Sequence, residues 1–180
     1  MNDDDMSPDD DILALDQVLA VKRSAAGPVV DVDEPSVKLV VFVLGTDWFA
    51  FHGERIKEVL SDCPVYFLPG CPASLEGVIN VRGDIESVIR LRVLLRLAED
   101  SGAMAGSRIL LGQGADMRSG IRVDRVEEVM DVPQSAIQPP PHTINEHLRP
   151  LVLGIVPFQD HMVTVLDLER IFQDYRAGGL

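Results

Sequence analysis

Gly77 to Leu95 read GVINVRGDIESVIRLRVLL, and the rest of the chain is best read outward from this stretch. Its apolar residues fall at Val78, Val81, Ile85, Val88, Ile89 and Leu91, interrupted by Asn80, Arg82, Gly83 and Asp84. That pattern predicts two strands around a tight polar turn. After Ile89 the period changes: Leu91, Leu94 and Leu95 stand at i, i+3 and i+4, on one side of a short helix that closes the unit.

The unit occurs twice. A shift of 77 positions lays Gly154, Ile155, Phe158, Met162, Val165, Leu166, Leu168, Ile171 and Phe172 on Gly77, Val78, Val81, Ile85, Val88, Ile89, Leu91, Leu94 and Leu95 without a gap. Upstream, a shift of 70 lays RVEEVM (Arg125 to Met130) on RIKEVL (Arg55 to Leu60), and a longer loop in the second half absorbs the difference of seven. Position, order and residue size agree, which is more than valine-rich strands share by composition. One fold used twice is the simplest reading.

The bulk composition is that of a globular protein: 46% apolar, 25% charged and only 5% aromatic residues in a chain of 180, so the core must be aliphatic. Net charge is −13, which argues against nucleic acid and against anionic membranes, both of which call for a basic footprint. Residues 1 to 36 hold ten acids against Lys22 and Arg23, a net of −8, so the acidity is mainly a property of this tail. The N-terminus lacks the basic start and apolar run of a signal peptide, and no window is long and apolar enough to span a bilayer, so a cytoplasmic location is expected. Cys63 and Cys71 are then free thiols, and with His52 they do not complete a metal site.

In chain order, MNDDDMSPDDD is almost solid charge and opens an acidic tail, residues 1 to 36, that is expected to be largely disordered. Ser7 as N-cap, Pro8 at the first helical position and Asp9 to Asp11 in the first turn then suit a short helix over about 8 to 24. Ile12, Leu15, Val18 and Leu19 lie on its apolar side, and Gly27 and Pro28 stop it. A helix of that length docks or frays. PVVDVDEPS (28 to 36) reads as an extended linker. KLVVFVL, a turn at Gly45 to Asp47 and WFAF form a hairpin. Trp48, the single tryptophan, suits barrel core or rim, with an exposed binding aromatic as the alternative. On the strand of Arg55 to Leu60, Ile56 and Glu58 share a face. Cys63 to Ser74, with Pro64, Pro69, Gly70 and Pro72, is a structured loop.

These segments carry a family resemblance. FVLGTDWFAF, IKEVL, LPGCPASLEGVINVRGDI, GIRVDRVEEVMDV and VLDLERIF follow the order found in CheW, the coupling protein of bacterial chemotaxis. The similarity spans about Lys38 to Tyr175, and its most specific piece is GVINVRG. The resemblance implies a mainly β fold of two SH3-like five-stranded barrels with short helices, following the acidic tail. On that basis residues 37 to 176 form the CheW-like domain, with the first barrel over about 38 to 97, the second over about 107 to 166 and a C-terminal helix over about 167 to 176. It implies a non-catalytic adaptor, without cofactor or metal, that joins the cytoplasmic tips of chemoreceptors to the regulatory domain of a CheA-type histidine kinase, in arrays under the inner membrane.

Carried over by residue, Arg82 matches the arginine of the NxRG turn at the family's receptor face, and Glu58 matches the glutamate expected to pair with it. Ile56 and, across a groove between the barrels, Ile109 are the expected apolar receptor contacts, while Asn80 and Gly83 shape the turn. The kinase-facing surface is placed around Val59, Phe49 and Phe51. The plain alternative for Glu58 and Arg82 is a surface ion pair contributing about 0 to 1 kcal/mol. The family's RGxxxPVxDL is replaced by RGDIESVIRL, with Ser87 in place of proline and Arg90 in place of aspartate. The second half keeps Asp167 at the matching position, so Arg90 is the expected specificity position, and it is also expected to repel Arg82.

Two other readings compete. A CheW-like scaffold of a non-flagellar system, serving pilus or gliding motility or a second-messenger output, fits the same residues. A metal-dependent hydrolase would need His142, Glu146 and His147 in QPPPHTINEHLRP, but this spacing is not HExxH and no third ligand is evident.

Overall fold

The computed structural model describes residues 34 to 61, 63 to 98 and 106 to 178. The expected helix over about 8 to 24 lies outside the described residues. The body from Pro35 onward is one compact unit.

Among the described residues ten strands form two five-stranded sheets. The strands are β1 (Ser36–Leu44), β2 (Asp47–His52), β3 (Ile56–Ser61), β4 (Leu75–Val81), β5 (Asp84–Ile89), β6 (Arg108–Gly114), β7 (Met117–Val123), β8 (Arg125–Pro133), β9 (Val152–Phe158) and β10 (His161–Leu166). Helix α1 (Leu91–Leu94) follows β5, and α2 (Leu168–Arg176) follows β10. The strand orders are β8-β1-β2-β10-β9 in what we term barrel A and β3-β6-β7-β5-β4 in barrel B.

The repeat is exact in its elements. A shift of 77 carries β4 and β5 onto β9 and β10, and a shift of 70 carries the starts of β2 and β3 to within a residue of β7 and β8. The pairing, however, crosses between halves, which corrects the expectation of one barrel over 38 to 97 and another over 107 to 166. Barrel A combines β1 and β2 with β8, β9 and β10; barrel B combines β6 and β7 with β3, β4 and β5. Each barrel has one parallel join, Ala50 beside Val165 or Ile89 beside Ile121, and one antiparallel join, β1 with β8 or β3 with β6. The chain changes sheets at the short 3-10 turn Gly53–Arg55 and again at Asp124, between β7 and β8. Hydrophobic period reports which face of a strand is buried but not which neighbour covers it, so a crossed and an uncrossed pair look alike in sequence.

Crossing explains the unbroken apolar run of β1. Leu39 and Val41 point into the interior of barrel A with Val156, Val163 and Val165, whereas Val40, Phe42 and Leu44 join a core shared by both sheets and both helices. A strand buried on both faces reads as a continuous hydrophobic run. Barrel B has its own smaller interior of Ile79, Val88 and Ile109. Each helix caps the shared core with three side chains: Leu91, Leu94 and Leu95 from the α1 region, and Leu168, Ile171 and Phe172 from α2.

Both barrels close an edge by the same device. Tyr66 and Val78 exchange backbone hydrogen bonds of 2.8 and 2.9 Å, and Gln138 and Ile155 exchange two of 2.8 Å. The approach is close because the residue beside each bridge is glycine, Gly77 or Gly154.

Candidate protein-interaction site

The turn of the opening motif is a two-residue hairpin. Val81 faces Asp84, and Arg82 (φ 54°) and Gly83 (φ 102°) both take left-handed conformations, as a type I′ turn requires. Glycine adopts this without steric penalty, whereas an arginine there costs of order 1 kcal/mol. Asn80 Oδ1 accepts the Gly83 N–H at 2.8 Å and so braces the turn. From it Arg82 Nη2 donates to Glu58 Oε1 at 3.0 Å across the opening between β4 and β3. The expected partners therefore meet.

Their exposure decides what the pair can do. The Arg82 side chain is 81% exposed and that of Glu58 32%, so the pair is screened by water and contributes little to stability. Among the described residues Glu58 is the acceptor that the protein offers Arg82, and the remaining guanidinium donors face outward. The twin turn holds the neutral Gln159 at φ 50° in the position of Arg82. The hairpin thus does not require arginine, and the chemistry of Arg82 is available for recognition.

The other expected contacts divide. Asn80 and Val59 are exposed, the latter at 41%. Ile56 is half-buried against the shared core. Ile109 is only 1% exposed: its side chain fills barrel B with Ile79 and Val88, and it cannot meet a partner across a groove. Phe49 and Phe51 are likewise core residues, stacked on Phe42 with ring centroids 6.0 and 4.9 Å away, which removes them from a kinase-facing surface. Crossing is the reason in each case, since β2 and β6 lie inside their sheets between two neighbours rather than at an edge.

Arg90 is exposed at the N-terminus of α1 and makes no cap, whereas Asp167 Oδ1 accepts from Arg170 N at 3.1 Å. The expected repulsion between Arg90 and Arg82 does not arise. They flank opposite ends of β5, roughly 20 Å apart at about 3.3 Å per residue, beyond the screening length of physiological salt. Ser87 uses its hydroxyl in a 2.8 Å contact with that of Ser119, which also donates to the Ser87 carbonyl at 2.9 Å.

Several polar groups near the site escaped the sequence reading. Arg118 on β7 donates to Glu86 at 2.5 Å and to Asp84 at 3.0 Å, and these bonds, Glu86 first, push its pKa above the ordinary arginine value. Nothing local foretold this pairing. Two matching corners tie the sheets together. In one, Asp124 accepts the Gly45 N–H (2.5 Å) and Arg92 Nη2 (2.8 Å); in the other, Glu169 accepts the Ala115 N–H and Arg55 Nη1, each at 2.8 Å.

A cleft of about 330 Å³ opens beside the second corner, lined by Glu54 and Arg55 of the chain crossing, Lys57 and Gln113 to Asp116 of barrel B, and Glu169 of α2. It adjoins one of about 290 Å³ that reaches His52 and Leu153. The Arg82–Glu58 pair does not line this groove, although Lys57, next to Glu58, does. His147 Nε2 lies 3.1 Å from the Leu95 carbonyl oxygen and His142 lends only its carbonyl, to Arg149. Among the described residues no group of three or more His, Cys, Asp or Glu is placed to hold a metal ion, and no helix is long and apolar enough to cross a membrane.

Comparison with known proteins gives one answer throughout. The family model of the CheW-like domain matches residues 38 to 176. The chain is 27% identical over 152 residues to a chemotaxis protein CheW of Helicobacter pylori, covering 84% of this chain and 91% of the relative. It is 28% identical over 144 residues to that of Treponema pallidum, covering 78% and 85%. Among solved structures, the scaffolding protein TtCheW from Thermoanaerobacter tengcongensis superposes with a TM-score of 0.68 at 30% identity, covering 77% of this chain and 94% of that one. The mainly β architecture of paired SH3-like barrels is thus shared with a solved relative.

Proposed function

The chain belongs to the CheW-like domain family, and from that premise we propose that it is a non-catalytic adaptor coupling chemoreceptors to a CheA-type histidine kinase in the cytoplasm. The observation that carries the receptor half of this reading is Arg82. It is mounted on a braced turn, 81% exposed and held by one half-buried carboxylate, and a twin hairpin of the same loop length manages without it. Asn80 orients the turn, Glu58 holds the guanidinium, and the outward donors of Arg82 suit a carboxylate or carbonyl on a receptor helix.

The kinase half rests on what remains exposed after Phe49 and Phe51 are removed from it. That is Val59 on the edge strand β3 together with the surface around it. Single contacts of this size bind weakly, and an array gains strength from many made at once. Arg90 and Ser87 support a specialised set of partners, since both depart from the family pattern and Arg90 is free of a capping role.

Co-sedimentation with a receptor cytoplasmic fragment and with the kinase regulatory domain tests the proposal. Arg82→Glu should weaken receptor binding at least about tenfold and leave kinase binding within about twofold. Binding to neither partner at low salt and micromolar concentration would refute the adaptor reading. Deleting residues 1 to 36 in the same assay separates a binding tail from a solubilising one.

A further inference from the structure

Three charged residues hold the rim of barrel B beside the Arg82 turn. Arg118 on β7 donates from Nε to Glu86 at 2.5 Å and from Nη2 to Asp84 at 3.0 Å, both on β5. The fold does not ask for charge in these places. The shifts of 77 and 70 carry Asp84, Glu86 and Arg118 onto His161, Val163 and Trp48. There the rim of barrel A is closed by ring stacking: Trp48 lies on His161 at 4.2 Å and packs against the interior that holds the fully buried Val163. A carboxylate in the place of a buried valine gives up apolar contact and costs desolvation, which pairing with Arg118 offsets at best.

The cluster of Asp84, Glu86 and Arg118 holds two negative charges and one positive. Glu86 is 8% exposed and matched by Arg118, so the unmatched charge falls on Asp84, whose side chain is 72% exposed. Among the described residues Arg118 is the one ion-pair partner of Asp84, and it binds Oδ2, leaving Oδ1 to accept from outside. Around the rim stand Glu58 on β3, Arg82 on the turn, Asp84 at the start of β5 and Arg118 on β7, in alternating sign.

Arg82 turns toward β3 and Asp84 toward β7, so the free donors of one and the free acceptor of the other are one to two strand spacings apart, about 5–10 Å. On an α-helix, side chains three or four positions apart are about 5–6 Å apart at Cβ. A helix that gives Arg82 a carboxylate therefore meets Asp84 one turn along, where a cation is attracted and a second acid repelled. We propose that Asp84 is a second recognition residue of the Arg82 site, taking a Lys or Arg one helical turn from the carboxylate that Arg82 takes, and that Arg118, fixed by Glu86, positions it. This rests on the adaptor reading and adds to it the chemistry of the partner, a receptor helix with an acid and a base on one face.

Binding of the receptor cytoplasmic fragment tests this, with Arg82→Glu as the reference. Asp84→Asn should weaken binding about three- to fivefold and Asp84→Lys at least about tenfold. Both should melt within about 2 °C of wild type, because Asp84 is exposed. The sign decides between readings: a receptor face that is merely acidic would bind Asp84→Lys more tightly, since the surface around Arg82 becomes more positive. Changing one Lys or Arg of the receptor helix to Glu should restore the binding of Asp84→Lys. Arg118→Gln should weaken the wild type about threefold and leave Asp84→Asn unaltered, whereas a purely structural role would weaken both alike. Asp84→Lys that binds as tightly as wild type or more so, while Arg82→Glu loses the receptor, would overturn the inference and leave the adaptor reading standing. A wild type that binds neither receptor nor kinase overturns both.

Discussion

Gly77→Ala and Gly154→Ala test the device on which both barrels depend. A Cβ on Gly77 would stand 2.3 Å from the Tyr66 carbonyl oxygen and 2.9 Å from Val65 Cγ1; one on Gly154 would stand 2.5 Å from the Gln138 oxygen and 2.6 Å from Ile137 Cγ2. The obstructing oxygens are backbone atoms that accept the Val78 and Ile155 amides, so they cannot swing aside as a side chain would. The loop must leave the strand edge, losing two hydrogen bonds of about 0.5–1.5 kcal/mol each, or the site must absorb overpacking of about 1–3 kcal/mol. Each substitution should therefore cost about 2–4 kcal/mol. For a chain of this length that is a fall in melting temperature of roughly 5–15 °C.

Circular dichroism gives the global transition, and the emission of Trp48 gives a second probe. Trp48 is the only tryptophan and is stacked on His161 at 4.2 Å on the rim of barrel A. Because each barrel draws strands from both halves, the two probes should report one transition for either variant, although Gly77 is in barrel B. A melting temperature within about 2 °C of wild type for either protein would refute the close-approach argument.

Three further outcomes follow from the geometry. Arg90→Asp should supply the cap that Asp167 gives α2, raising stability by about 0.5–1 kcal/mol in urea unfolding; an unchanged or lower midpoint would show that the missing cap does not limit α1. If the same variant binds every candidate partner as wild type does, Arg90 loses its role in specificity. A double-mutant cycle of Arg82→Ala and Glu58→Ala on stability should give a coupling below about 1 kcal/mol, and a larger value would mean that the pair serves the fold. Asp124→Ala, which strips the Gly45 amide and Arg92 in a pair only about one-fifth exposed, should cost about 2–4 kcal/mol. Glu169→Ala should cost less, because Arg55 and Glu169 are 42% and 33% exposed; the reverse order would contradict the assignment of burial.

The two shifts of 77 and 70 were legible because they depend on local pattern: glycine at the close approach, alternation along each strand, and a switch to helical spacing at Leu91 and Leu168. The Arg82–Glu58 meeting was legible only through family resemblance, since nothing local brings residues 24 apart together. Ile109, Phe49 and Phe51 were misplaced for one reason. Their burial depends on which strands flank β6 and β2, a non-local fact that apolar alternation does not encode.

The repeat separates what the fold needs from what this chain adds. Where both halves do the same task, the means are conserved in kind even when the charges are exchanged: one corner sets an acid of the chain crossing, Asp124, against a basic helix residue, Arg92, and the other sets a basic crossing residue, Arg55, against an acidic helix residue, Glu169. Each corner still gives its hairpin amide one carboxylate, so the sign of the pair is free while its geometry is not. At the hairpin tips nothing of the kind compensates. Arg82 and Gln159 both stand at positive φ, Ile85 and Met162 are both more than half exposed, and among the described residues only the first tip carries an ion pair. A difference that no packing or hydrogen bond of the fold requires has to be sought outside the molecule. This is why the turn at Arg82, rather than the cleft beside the Arg55–Glu169 corner, is the place to look for a partner.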